Sequence, residues 1–246
     1  MFDRFFKVLI AISIVIGLNS MAFAGPVDDM LLNAIANNDL DMAQTAVENG
    51  ADVNYVKTSN YTPLGLAAKN GNSEMVAFLL KNKANPNQKV ELFSDYTTPL
   101  ILAVEKDDLA SAKLLVEAGA NVNTPFQHKK ETFVRFDADS NGSTPLILAI
   151  QKTLTDKPSL EMVQFLISKK ANVNLATVSG FTPLMAAASY KWGNNQEKRC
   201  RIAKELLNAG ADPARKDKYG KIALQYAIDT NFKEMINLLL PVSPKK

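Results

Sequence analysis

Two side chains suited to nucleophilic, redox or metal chemistry occur once each in this chain, Cys200 and His128. Cys200 stands in Glu197-Lys198-Arg199-Cys200-Arg201-Ile202, where flanking arginines would lower its pKa if the thiol were exposed. The alternative is a small residue filling a helix interface, or one half of an intermolecular disulfide. A lone cysteine forms no internal bridge, so packing alone must hold the fold. His128 lies in a different stretch, and a Cys-His dyad or a His-based metal site needs partners that this chain does not supply. Asp137-Ala138-Asp139-Ser140-Asn141-Gly142 matches the first half of a calcium loop, but Leu148 stands where the bidentate Glu belongs. Asp139, Gly142 and Thr144 also have a turn and a helix cap to make. No Gly-rich phosphate loop is present. The expectation is a chain with no catalytic residue, no cofactor and no metal; a redox or hydrolytic enzyme would have to use Cys200 or His128.

A second chemistry, recognition of another protein, has more residues behind it. Pro125 to Asp137 mixes Phe126, Phe133 and Phe136 with Lys129, Lys130 and Arg135, an aromatic and basic blend of the kind enriched at interfaces. Thr132 to Phe136 has strand composition, so this stretch is expected to form a hairpin finger. Its phenylalanines either bind a partner or fold back over their neighbours, since an isolated hairpin needs apolar support. Lys89 to Tyr96 reads as a smaller finger bearing Leu92, Phe93 and Tyr96, and Tyr190 to Asn195 carries Tyr190 and the single Trp192. The partner-binding candidates are therefore Phe93, Tyr96, Phe126, Lys129, Phe133, Arg135, Phe136, Tyr190 and Trp192. Tyr55 and Tyr61, at the first finger, come after them.

What must position these loops is a repeating unit. Thr-Pro-Leu begins at Thr62, Thr98, Thr144 and Thr182, and a degenerate copy, Ile222-Ala223-Leu224, follows; the steps are 36, 46, 38 and 40 residues. A period of this size signals stacked supersecondary units in place of one globular core. Each Thr-Pro-Leu has the chemistry of a helix start, a hydroxyl acceptor followed by a proline that needs no N–H. An Ala-rich helix follows, then a second apolar helix such as Met75 to Leu80 or Met162 to Ile167. Gly50, Lys83, Gly119, Lys170 and Gly210 close the second helices, where a left-handed residue is expected. Lys83 and Lys170 adopt that backbone at a cost of roughly 1 kcal/mol each.

This pattern resembles the ankyrin repeat. The matching residues are the four Thr-Pro-Leu starts and the closing strings Gly50-Ala51-Asp52-Val53-Asn54, Gly119-Ala120-Asn121-Val122-Asn123 and Lys170-Ala171-Asn172-Val173-Asn174. Lys216-Asp217-Lys218-Tyr219-Gly220 adds the turn that precedes such a helix pair. The resemblance runs from Val27 to Leu240 and implies an all-α helix–turn–helix solenoid of about six repeats with β-hairpin finger loops. The units are 27–58, 59–93, 94–139, 140–177, 178–216 and 217–243, the first and last being caps. One departure stands out: the His that usually follows Thr-Pro-Leu is replaced by Gly65, Ile101, Ile147, Met185 and Gln225, which removes the side chain behind the usual hydrogen bonding between repeats but leaves the fold in place.

Residues 1–24 read as a secretory signal peptide, with Arg4 and Lys7 before an apolar run and Ala22-Phe23-Ala24 as the cleavage site. The competing reading is an uncleaved N-terminal anchor, although the run is short for a membrane span. Residues 25–246 then form the repeat domain. Without the first 24 residues, Lys plus Arg falls from 28 to 26 and Asp plus Glu from 25 to 24, leaving a net charge of +2. That balance, with no long charge run, argues against nucleic acid and a membrane surface as partners. The expectation is a monomeric, non-enzymatic scaffold that binds a protein in the periplasm or after secretion. A secreted effector binding a host protein is the alternative.

Overall fold

The computed structural model describes residues 25–56, 61–92, 95–128, 141–152, 160–189 and 195–244. The proposed signal peptide lies outside these residues. Twelve helices fall among them. Unit one contributes α1 (Pro26–Ala36) and α2 (Leu40–Glu48), and unit two α3 (Pro63–Asn70) and α4 (Ser73–Lys81). Units three and four contribute α5 (Pro99–Lys106), α6 (Leu109–Glu117), α7 (Pro145–Lys152) and α8 (Leu160–Ser168). Units five and six add α9 (Pro183–Ala188), α10 (Gln196–Asn208), α11 (Ala223–Asp229) and α12 (Lys233–Leu239).

The Thr-Pro-Leu starts act as read from their chemistry. Thr62 Oγ1 accepts from Gly65 N at 2.9 Å, Thr98 from Ile101 N at 3.3 Å, and Thr144 and Thr182 from Ile147 N and Met185 N at 3.2 Å each. All four threonines are buried, so each hydroxyl satisfies a first-turn donor that water cannot reach. In unit six no threonine is available at the cap, and Gln225 Oε1 accepts from Ile222 N at 3.0 Å. The left-handed closers are also in place: Lys83 has φ +69° and Lys170 φ +65°, beside Gly50, Gly119 and Gly210.

The first helices α1, α3, α5, α7, α9 and α11 stack on one another in chain order. Their contact faces are small and fully or almost fully buried: Ala34, Ala67, Ala68, Ala103, Ala149, Ala186 to Ala188, and Ala227. The second helices form the other layer through Met75, Leu79, Leu115, Val163, Leu166, Leu206 and Met235. One continuous apolar core therefore runs along the stack from Leu31 to Leu239, each pair leaning on its neighbours.

Side-chain hydrogen bonds between units come from a ladder of asparagines at the closing strings. Asn85 N donates to Asn54 Oδ1 at 2.7 Å, Asn121 N to Asn87 Oδ1, Asn172 N to Asn123 Oδ1 and Asp212 N to Asn174 Oδ1, these three at 2.8 Å. Asp28 extends the ladder to the first unit by accepting from Asp52 N at 2.8 Å. On the other side of the amide, Asn87 Nδ2 donates to Gly119 O at 2.8 Å and Asn174 Nδ2 to Gly210 O at 2.9 Å. One side chain thus ties the close of one unit to the close of the next. Gly65, which stands in one of the His positions, has another use: a Cβ there would come within 2.7 Å of Val90 Cγ2, and Val90 is fully buried.

Candidate protein-binding edge

The finger expected at Lys89 to Tyr96 is an antiparallel hairpin of β1 (Val90–Leu92) and β2 (Asp95–Thr97), paired Val90 with Thr97, Glu91 with Tyr96 and Leu92 with Asp95. The start of the long insertion adds a third strand, β3 (Gln127–His128), which pairs with β2 through Asp95–His128 and Tyr96–Gln127. Units two and three are therefore joined by a small sheet that includes the start of the long insertion, which gives the backbone support that a lone hairpin lacks.

Beyond the sheet the remaining turns are linked by backbone bonds in a repeating register. Phe126 N donates to Ser143 O and Gly142 N to Phe126 O, both at 2.9 Å. Val178 N donates to Asn141 O at 2.8 Å, and Lys218 N to Ser179 O at the same distance. Val178 and Lys218 occupy equivalent places, each reaching back to the turn before. The result is a row of turns held in fixed order along one edge of the stack.

Of the nine candidate residues, two are described. Tyr96 is half-buried in β2 with Lys89 Nζ 5.8 Å from its ring centroid. Phe126 is half-buried where the insertion leaves the stack, its backbone fixed to Gly142 and Ser143. The structure thus brings Tyr96 and the start of the insertion to one sheet. Phe93, Lys129, Phe133, Arg135, Phe136, Tyr190 and Trp192 lie outside the described residues, as does most of the possible calcium loop. The part of that loop that is described has a turn's job: Gly142 has φ +86°, and a Cβ on it would meet Val178 N at 2.9 Å. Tyr61 is half-buried with Lys69 Nζ 4.4 Å over its ring.

Sequence reasoning passed over two residues at this edge. Val178 is 75% exposed and Tyr219 66% exposed, the largest exposures among the large hydrophobic side chains described. They sit on the adjoining turns of units five and six, with Lys218 Nζ 4.9 Å from the Tyr219 ring centroid. The signal available in the sequence was the turn glycine at Gly142, Gly180 and Gly220, which marks the tip of each turn.

The two residues with reactive side chains are not brought together. Cys200 lies on α10, which packs against α8, α9 and α12, whereas His128 belongs to β3 at the finger sheet. The net shift at Cys200 is upward, opposite to the effect of its flanking arginines. Burial and the Glu234 carboxylate push the thiol up, and Lys204 and Arg199 only partly oppose them. Arg199 is turned fully into the core. Cys200 lines an open groove of about 580 Å³ between α10 and α12, with Gln196, Glu197, Arg201, Lys204, Glu234 and Leu238. A thiol held in its neutral form there is a poor nucleophile. No cluster of three metal-ligating side chains and no helix long and apolar enough to cross a membrane occurs among the described residues.

Comparison with known proteins agrees with this architecture. A family model for ankyrin repeats in three copies matches residues 31–125, 128–217 and 157–246. The ankyrin repeat protein YahD of Escherichia coli (strain K12) is 28% identical over 218 residues, which are 87% of this chain and 95% of that protein. The ankyrin repeat protein FPV031 of Fowlpox virus (strain NVSL) is 30% identical over 168 residues, or 66% of this chain; the chain spans only 44% of that relative's length. Among solved structures, one chain of the complex between the predatory endopeptidase Bd0816 of Bdellovibrio bacteriovorus and immunity protein Bd3460 is 29% identical. It superimposes with a TM-score of 0.66 over 86% of this chain and 97% of its own. An ankyrin repeat domain from Acinetobacter baumannii AYE, 24% identical, reaches a TM-score of 0.73 over 87% of this chain and 98% of its own.

Proposed function

We infer the function from one premise, that this chain belongs to the ankyrin repeat family, whose members generally act as scaffolds for protein–protein contact. The chain is a non-enzymatic, monomeric scaffold that holds a protein partner along its finger edge and the adjoining first-helix face. The observation that carries this reading is the row of turns zippered from β1 to Lys218, a preformed edge spanning units two to six. A specific interface needs about 800 Å² on each partner, and several neighbouring turns are required to offer it. A rigid row offers that area with little ordering cost on binding. The partner-binding residues are those proposed from the sequence, Phe93, Tyr96, Phe126, Lys129, Phe133, Arg135, Phe136, Tyr190 and Trp192.

Arg4, Lys7 and the apolar run after them support a reading in which the chain is exported and meets its partner in the periplasm or beyond. The likeness to a chain of an endopeptidase–immunity protein complex favours an enzyme as the partner, held in check or stabilised by the scaffold. The test is capture from an envelope fraction with the tagged protein. One dominant partner is expected, lost with Phe133→Ala plus Phe136→Ala and retained with Cys200→Ser and His128→Ala. Loss of the partner with Cys200→Ser alone would move the function to the thiol. Recovery of the protein from culture medium and not from osmotic-shock fluid would favour an effector acting outside the cell.

A further inference from the structure

We propose that the turns of units five and six form the docking site for an acidic segment of the partner that carries an apolar anchor. The inference rests on the scaffold reading and gives that partner a chemistry. Its apolar element is the pair Val178 and Tyr219, 75% and 66% exposed on turns joined by the Lys218 N to Ser179 O bond of 2.8 Å. Two such side chains on adjoining rigid turns, exposed without any fold reason to be so, are what an interface anchor requires.

Cations outnumber acids on the chain around Tyr219. Residues 212–221 hold four cations, Arg215, Lys216, Lys218 and Lys221, and two acids, Asp212 and Asp217. Asp212 accepts from Ala214 N at 2.8 Å, and Asp217 is withdrawn from the surface. Asp217 is buried, its Oδ1 accepts from Tyr219 N at 2.9 Å and Lys221 N at 2.8 Å, and its Oδ2 accepts from Tyr226 OH at 2.5 Å. Lys221 is balanced by Asp229 at 2.7 Å. Arg215 and Lys216 remain exposed beside the turn, with Lys218 over the Tyr219 ring. An incoming segment therefore meets a cationic rim around an apolar centre, the complement of carboxylates flanking an aliphatic or aromatic residue. Two or three cations are too few for a nucleic-acid track, which needs a continuous basic groove and stacking platforms.

Random peptides displayed on phage and selected on the purified full chain test this, with counter-selection on the Val178→Asp/Tyr219→Ala variant. Enriched peptides are expected to carry Asp or Glu on both sides of an apolar residue. Their Kd, read by fluorescence anisotropy, should rise about tenfold in that variant and in Arg215→Glu/Lys216→Glu. It should also rise with salt. Glu197→Gln, in the groove on α10, should leave Kd unchanged. Because all the substituted residues are exposed, an unchanged melting temperature is the check that each variant is folded. Binders without an acidic excess, or an affinity in both edge variants equal to that of the unsubstituted chain, would overturn the proposal. So would a single-stranded oligonucleotide that displaces the peptides and is itself lost in the same variants. The scaffold reading is judged separately: a captured envelope partner that still binds Val178→Asp/Tyr219→Ala leaves the scaffold standing and removes this site.

Discussion

Arg199 donates from Nε to the carbonyl oxygen of Ala187 at 3.0 Å, reaching from α10 into the last turn of α9. The other first helices with a described C-terminus reach a left-handed residue within two positions, at Asn38, Gly71, Asp107 and Asn231. Helix α9 is followed instead by an extended residue, Ser189, at φ −81°, ψ 126°. A buried guanidinium does that part of the capping, and its Cζ lies 4.8 Å over the Phe232 ring, which joins units five and six. Arg199→Ala is expected to lower stability by about 3–5 kcal/mol, through the unpaired carbonyl and the cavity together. Arg199→Met, which keeps most of the volume, should cost about 1–3 kcal/mol. Urea unfolding of both variants decides it, and a Met variant as stable as the wild type would mean that the donor contributes nothing.

How far this could be read from the sequence follows from which interactions are local. Thr62 and Gly65, or Thr182 and Met185, are three residues apart, so the cap is visible as a string, and so are Lys83 and Lys170 at their helix ends. Arg199 was legible only as a charge beside Cys200, because its partners Ala187 and Phe232 meet it through the stack. The asparagine strings were visible as repeats, but their bonding spans 31 to 49 residues and appears only once the units are in register. The finger at Val90 to Thr97 was legible from its composition; the third strand from Gln127–His128 was not, since nothing local sets which edge it joins. Val178 and Tyr219 escaped notice because exposure is a property of the assembled row and neither sits in an aromatic cluster.

The ladder has a measurable share of the stability. Asn87 uses both ends of its amide between units, accepting from Asn121 N and donating to Gly119 O. Asn87→Ala should cost about 1 kcal/mol, the lower end of the range because the site is exposed to water. Asn87→Asp keeps the acceptor and loses the donor, and should fall between the two. Replacing Asn87, Asn123 and Asn174 together should lower stability by about 3 kcal/mol and broaden the unfolding transition, as coupling between neighbouring units weakens. An unbroadened transition in the triple variant would show that helix packing alone carries the coupling.

Cys200 offers a prediction in pH. Burial, then Glu234, holds the thiol above its ordinary value, so the neutral form persists in the folded protein after a free thiol has begun to ionise. The sign for stability follows: the contribution is intact below the unfolded thiol's pKa of about 8.5 and is lost as pH rises through the higher folded value. Alkylation by iodoacetamide at pH 8 should be slower than for the urea-unfolded chain, and Glu234→Gln should quicken it in the folded state. A folded-state rate equal to or above the unfolded one would contradict the half-buried, deactivated thiol.

Gly180 and Gly210 share a left-handed backbone, φ +80° and +89°, but not the same surroundings. A Cβ on Gly210 would meet nothing within 4 Å, whereas on Gly180 it would stand 3.0 Å from Asp217 Cα, in the turn of the next unit. Gly210→Ala therefore carries only the conformational cost, roughly 1 kcal/mol. Gly180→Ala carries that cost and must also push apart the turns of units five and six, which the Lys218 N to Ser179 O bond holds together. The neighbouring atom is backbone and cannot swing away, so a total of about 2–4 kcal/mol is expected. Hydrogen exchange gives the site-specific reading: the Lys218 amide should lose protection in Gly180→Ala and keep it in Gly210→Ala. Equal destabilisation by the two substitutions, with Lys218 protected in both, would mean that the turns of the edge are not braced against each other.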